Sequence, residues 1–186
     1  IGAYLDGLSP AERVAETRSL GKRDQRRLYQ LAAASRDPLD LTHFVPASRA
    51  PLSAVHHDGK NTLPVPGLTT FQKRFCRPES GVARLFGNNQ SPFLRTVGSG
   101  FFVAVPTPGH AAWEARGAVV VDYFQVPDGP VADGWPEVVP NSKGLQVFVY
   151  NKTRDFMRRV SNHVSIGAAY KVEKALDHYF VLCRQA

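Results

Sequence analysis

Several things are scarce in this chain, and each scarcity removes a class of protein. No run of apolar residues approaches the roughly 20 that a bilayer span requires, so the chain reads as soluble. Only two cysteines occur. That is too few for a disulfide framework, and Cys76 (in RFCRP) and Cys183 (in VLCRQ), each set among apolar and aromatic residues, read as buried reduced thiols. There is no Cys-x-x-Cys pair. The run His56-His57-Asp58 is a weak metal signal, because adjacent histidines point apart on a strand. No metal and no cofactor is therefore expected. Glycine-rich phosphate loops are missing, since Gly98 and Gly100 precede a strand rather than a helix N-terminus. Ser91, Ser99 and Ser142 lack a nucleophile-elbow context, which disfavours a serine hydrolase. The sequons at Asn89 and Asn151 are short enough to arise by chance. Repeats and low-complexity tracts are absent. The sequence opens on Ile1, so the lack of a signal peptide carries no weight. A cytoplasmic location is expected from the soluble composition alone.

What is present describes an ordinary globular chain. With 186 residues, 43% of them apolar and 10% aromatic, one domain over 1–186 is expected, with a peripheral helical pair over 1–36 and a sheet plus long helix over 37–186. The net charge of +7 is uneven: residues 91–142 carry two Lys/Arg against five Asp/Glu, whereas residues 143–186 carry eight against three. Basic flanks around an acidic centre allow an anionic partner, although a solvated surface is the commoner reason.

Along the chain, Ser9, Pro10 and Glu12 supply an N-cap, a proline at the first helical position and a capping-box partner for a helix from Pro10 to about Leu20. Gly21 ends it. A second helix from Lys22 to about Ser35 has a thin apolar face of Leu28, Leu31 and Ala32. The proline-rich stretch 36–67 reads as an ordered surface wrap. Residues 68–76 favour a strand, with Phe71, Lys73 and Phe75 on one side. A meander of short strands follows at 82–86, 93–97, 100–105 and 118–126, separated by turn signals that include GNNQSP. Residues 127–142 form a long irregular excursion holding Trp135. Between 149 and 164 a three-to-four-residue period (Val149, Thr153, Phe156, Met157, Val160, Val164) predicts one long helix. Two strands, at 166–172 and 178–184, close the chain, the second apolar on both faces and hence central. The architecture implied is α+β: a curved antiparallel sheet or partly closed β-barrel of six to eight strands, one long packed helix and an N-terminal helical pair.

The strand GAVVVDYFQVP organises the functional reading. Val119, Val121 and Tyr123 point one way, and Val120, Asp122, Phe124 and Val126 the other. Asp122 thus lies on an otherwise apolar face, where burial would perturb it and suit it to acid-base work. His163, at the end of the expected helix, and His178, opening the last strand, are the companion candidates. Arg95, Phe101, Tyr123, Phe124, Trp135 and Tyr179 are expected to line a pocket with them. The leading expectation is a protein that binds a small organic molecule, with acid-base chemistry left open. The alternative is an interaction module whose basic helices, 22–35 and 152–159, engage an acidic protein or nucleic acid. Aromatics are not interleaved with those charges, so base stacking has little to work with.

Overall fold

The structure, a computed structural model, describes residues 1–35, 37–64, 69–90, 99–142 and 150–185. Three helices come first: α1 (Gly2–Gly7), α2 (Pro10–Ser19) and α3 (Lys22–Leu31), the last running into a 3-10 turn at Ala32–Ala34. A short α4 (Leu41–Phe44) precedes eight strands: β1 (Val55–Asn61), β2 (Thr70–Cys76), β3 (Leu85–Gln90), β4 (Phe101–Pro106), β5 (Val119–Asp122), β6 (Thr153–Arg159), β7 (Val164–Lys171) and β8 (Lys174–Arg184). The one-turn helix α5 (Ala111–Glu114) interrupts the β4–β5 connection. Each strand pairs antiparallel with its neighbour in sequence, and β8 returns to β1, closing the barrel. Closure leaves no strand of the barrel as a free edge, and the one irregularity among the described residues is a register shift between Ala168 and Tyr170 in the β7–β8 ladder.

The expected helix over 149–164 is corrected: residues 153–159 are β6, and β7 begins at Val164. The helical period arose because Phe156 faces out and Met157 faces in, so both faces carry an apolar side chain. Outside the barrel the Phe156 ring meets Trp113 and Tyr170, at centroid distances of 6.1 and 5.1 Å, while Met157 joins the interior cluster. Asp155, also facing in, hides the alternation that marks a strand. Two further corrections have the same origin. The GNNQ segment lies within β3 rather than separating strands, and the proline-rich wrap contains β1. The expected strand at 93–97 lies outside the described residues.

The N-terminal helical pair forms as expected, with α1 added. Ser9 caps α2 through a reciprocal box with Glu12, whose side chain accepts from the Ser9 N–H at 3.0 Å. Leu5, Leu28 and Tyr29 lay an apolar stripe over the outer faces of β7 and β8, against Val164, Ile166, Ala168, Val181 and Cys183. This is why β8 is apolar on both sides: the barrel core lies within and the helices lie without. Residues 127–142 cover the outer faces of β3 and β4 in the same way, burying Ala132 against Cys76, Phe86 and Val103. Both thiols are free and buried, and burial pushes each up to about 11. Among the described residues, no helix is long and apolar enough to cross a membrane.

Candidate functional site

Alternation along the strands decides what enters the barrel. Phe71, Phe75, Leu85, Phe102, Ala104, Val119, Val121, Tyr123, Met157, Phe180 and Leu182 converge on one core. Phe44, Val45 and Leu39, on and beside α4, fill the end at which β1 begins. Three of the rings lie over glycines placed directly opposite them on the adjacent strand: Phe71 opposite Gly59, Phe102 opposite Gly87 and Phe180 opposite Gly167. A Cβ on these glycines would meet the facing ring at 2.5, 2.2 and 2.3 Å. Only a residue without a side chain lets the rings lie flat against the wall.

Those rings surround a charge. Lys73, in the middle of β2, points inward, and its Nζ lies 4.8 Å from the Phe180 ring centre, 5.0 Å from those of Phe102 and Tyr123, and 5.8 Å from that of Phe71. Its three N–H groups have three acceptors: Asn89 Oδ1 at 3.1 Å, Tyr123 Oη at 2.5 Å and Asp155 Oδ2 at 3.2 Å. The Asn89 amide donates to Tyr123 Oη at 2.7 Å, so that oxygen accepts from both Asn89 and Lys73. The Tyr150 ring stacks on Tyr123 with centroids 5.2 Å apart. Gly100 makes room for it, since a Cβ there would lie 2.5 Å from the Tyr150 ring.

Burial acts on both ends of the ion pair. Desolvation pulls the Lys73 ammonium below the usual lysine range and lifts the Asp155 carboxyl above the usual carboxylate range, and each partner's charge opposes the shift. Tyr123 is pushed well above an ordinary phenol, by burial first and then by the Asp155 charge. The two charges are not equally sealed. The Lys73 side chain is 2% exposed, whereas that of Asp155 keeps 9%. Ala169, directly across from Asp155 on β7, is partly exposed, as are Phe71 and Tyr150. These residues share the end of the barrel at which β7 finishes, opposite the end filled by Phe44.

Below the cluster lies a second buried polar group. His57, inward on β1, has its Nε2 3.0 Å from the Phe44 carbonyl, which fixes Nε2 as the protonated nitrogen and leaves Nδ1 buried without a partner. Burial lowers it to about 3, so it is neutral. His56 and Asp58 face outward, away from His57. Among the described residues, no group of three or more His, Cys, Asp or Glu is arranged to hold a metal.

Of the expected pocket residues that are among the described ones, Tyr123 is the one in this interior. Asp122 is buried on the outer face, where its oxygens accept from the Phe124 N–H and Gln125 Nε2 at 3.0 Å each and face Arg154 Nε at 3.3 Å. The buried carboxylate inside the barrel is Asp155. Phe124 lies outside, over the Arg154 guanidinium at 4.1 Å. Phe101 also turns outward, its backbone held by Asn141, and Phe102 takes the interior position. Trp135 packs on the outer cluster around Cys76, and Tyr179 meets Tyr29 of α3 at 5.7 Å. His163 sits in the β6–β7 turn, 3.4 Å from Arg184, and His178 is partly buried on β8, so neither joins Asp122. Arg95 lies outside the described residues. Asn89, a sequon position, is committed to Lys73 and Tyr123 inside the barrel. Lys73, Asn89 and Asp155 were missed as site residues, although a lysine between Phe71 and Phe75 at strand spacing was a legible signal. No known protein family, curated protein or solved structure matches this chain, so the interior cluster stands on its own geometry.

Proposed function

We propose that the protein binds a small, mainly apolar organic molecule in the barrel, with its polar end at Asp155 and Tyr123. One observation carries the reading: Asp155 keeps accessible surface at the end of an aromatic-lined interior, beside a lysine that is sealed. An eight-stranded barrel has room for its own side chains or for one small ligand. A buried ion pair contributes little to stability compared with apolar residues of the same size, so its presence here favours a role in recognition or proton transfer. Acid-base chemistry, if the bound molecule is turned over, belongs to Asp155 with Tyr123 rather than to Asp122.

A thermal-shift screen against a metabolite library tests this, since a ligand at a hundred times its dissociation constant stabilises by about 2.7 kcal/mol. The hit should lose its effect in Ala169→Phe, which fills the space opposite Asp155. A hit that stabilises both proteins equally binds elsewhere and defeats the reading. The interaction-module alternative has less support. Arg18 pairs with Asp58, Lys22 and Arg26 with Asp177, and Arg158 with the carbonyls of Tyr29 and Ala115, so much of the basic surface is engaged within the chain.

A further inference from the structure

We propose that the Lys73 amine is a covalent site, forming a reversible imine with an apolar aldehyde that enters from the end of the barrel where β7 finishes. The inference rests on the reading of the interior as a binding site and names the ligand class. Its basis is the make-up of the cluster. A cation needed only to neutralise Asp155 could be arginine, and the chain has sixteen arginines against seven lysines. The one inside the barrel is a lysine, which can give up its proton where arginine cannot. Two of its three hydrogen-bond partners, Asp155 and Tyr123, are themselves able to carry protons. The surrounding rings are apolar, so they suit a hydrocarbon or aromatic body and keep bulk water from reversing the condensation.

The step balances within the cluster. Lys73 passes a proton to the Asp155 carboxylate across 3.2 Å. The free amine's lone pair then bonds to the carbonyl carbon, and the C=O π pair moves to oxygen, which takes the proton from Asp155. Asp155 next removes a proton from the new ammonium and returns it to the carbinolamine hydroxyl. That group leaves as water while the nitrogen lone pair forms the C=N bond. The product is a protonated imine beside an Asp155 carboxylate, the same pair of charges as at the start. The iminium keeps one N–H, which can still donate to the Asp155 carboxylate, and the aromatic walls that face the ammonium face the same positive charge. Burial of the amine in apolar surroundings, which favours its neutral form, assists the attack.

Benzaldehyde with sodium cyanoborohydride at near-neutral pH, followed by peptide mapping, reads the reaction directly. Each unit by which an amine's pKa drops raises its free-base fraction about tenfold at that pH. The expected result is benzylation of Lys73 in preference to each of the six other lysines, a preference lost when the chain is denatured first. The double variant Lys73→Met with Asp155→Leu, which leaves no buried charge, should keep the barrel's circular dichroism and give only surface labelling. Lys73 labelled no more than the surface lysines in the folded wild type overturns the imine. In that event, stabilisation of the wild type by benzyl alcohol, which cannot condense, would still support non-covalent binding, so the two readings fail separately.

Discussion

Lys73 and Asp155 are each expensive to bury alone and tolerable together. Removing one leaves the other uncompensated, so Lys73→Met and Asp155→Asn are each expected to destabilise the fold by about 3 to 5 kcal/mol. The double variant Lys73→Met with Asp155→Leu should recover most of that loss, and urea denaturation of the set gives the coupling. The buried histidines set the response to acid. His57 is lowered to about 3, and His43, on α4 with both ring nitrogens unpartnered, is also held well below its ordinary range, by burial first. Between the ordinary histidine value and the lowered one, the unfolded chain binds protons that the folded protein refuses. The histidines' contribution to stability is therefore fully present above about pH 6.5 and lost as pH falls toward 3, His57 accounting for about 1.4 kcal/mol per pH unit within that span. His57→Gln should flatten the slope of unfolding free energy against pH; an unchanged slope would remove His57 from this account. These residues were only half legible. A charge flanked by phenylalanines at strand spacing can be read from FQKRFC as readily as Asp122 from VVVDYF. Alternation separates the two faces of a strand but does not say which of them the barrel encloses.

The strands misread from sequence, β1, β3 and β6, each turn polar residues or glycines inward. In β1, β3 and β6 the inward positions hold His57 and Gly59, Gly87 and Asn89, and Asp155, all of which look like turn or surface residues in a binary pattern. Helices α2 and α3, with ordinary caps and no role in the interior, were read with little error. The glycines can be tested individually. In Gly87→Ala the new methyl would meet the Arg74 carbonyl oxygen at 2.6 Å as well as the Phe102 ring, and a backbone atom cannot step aside. In Gly59→Ala it meets only the ring of the partly exposed Phe71. Gly87→Ala should therefore cost about 3 kcal/mol and Gly59→Ala about 1, from the range found for overpacked cores. Equal melting-temperature losses for the two would contradict the packing described.

Closure of the barrel brings together residues far apart in the chain: His57 pairs with Arg184, and Asp58 with Cys183. Such non-local pairing predicts slow folding, on the order of milliseconds to seconds, measurable by stopped-flow fluorescence. Truncation before Tyr179 should abolish cooperative thermal unfolding, because it exposes β1 and β7 as edges and uncovers the apolar stripe of α3. A truncated chain that still melts in one sharp transition would mean that β8 is dispensable. Local chemistry along the chain was enough to call for an antiparallel β-rich domain, the N-terminal caps and reduced, buried cysteines, because these depend on neighbours a few residues away. Which carboxylate faces the interior, which glycines lie under rings and which lysine meets which acid depended on residues 12 to 82 apart being set in register. Side-chain period tells two faces apart, and only closure of the sheet makes one of them the inside.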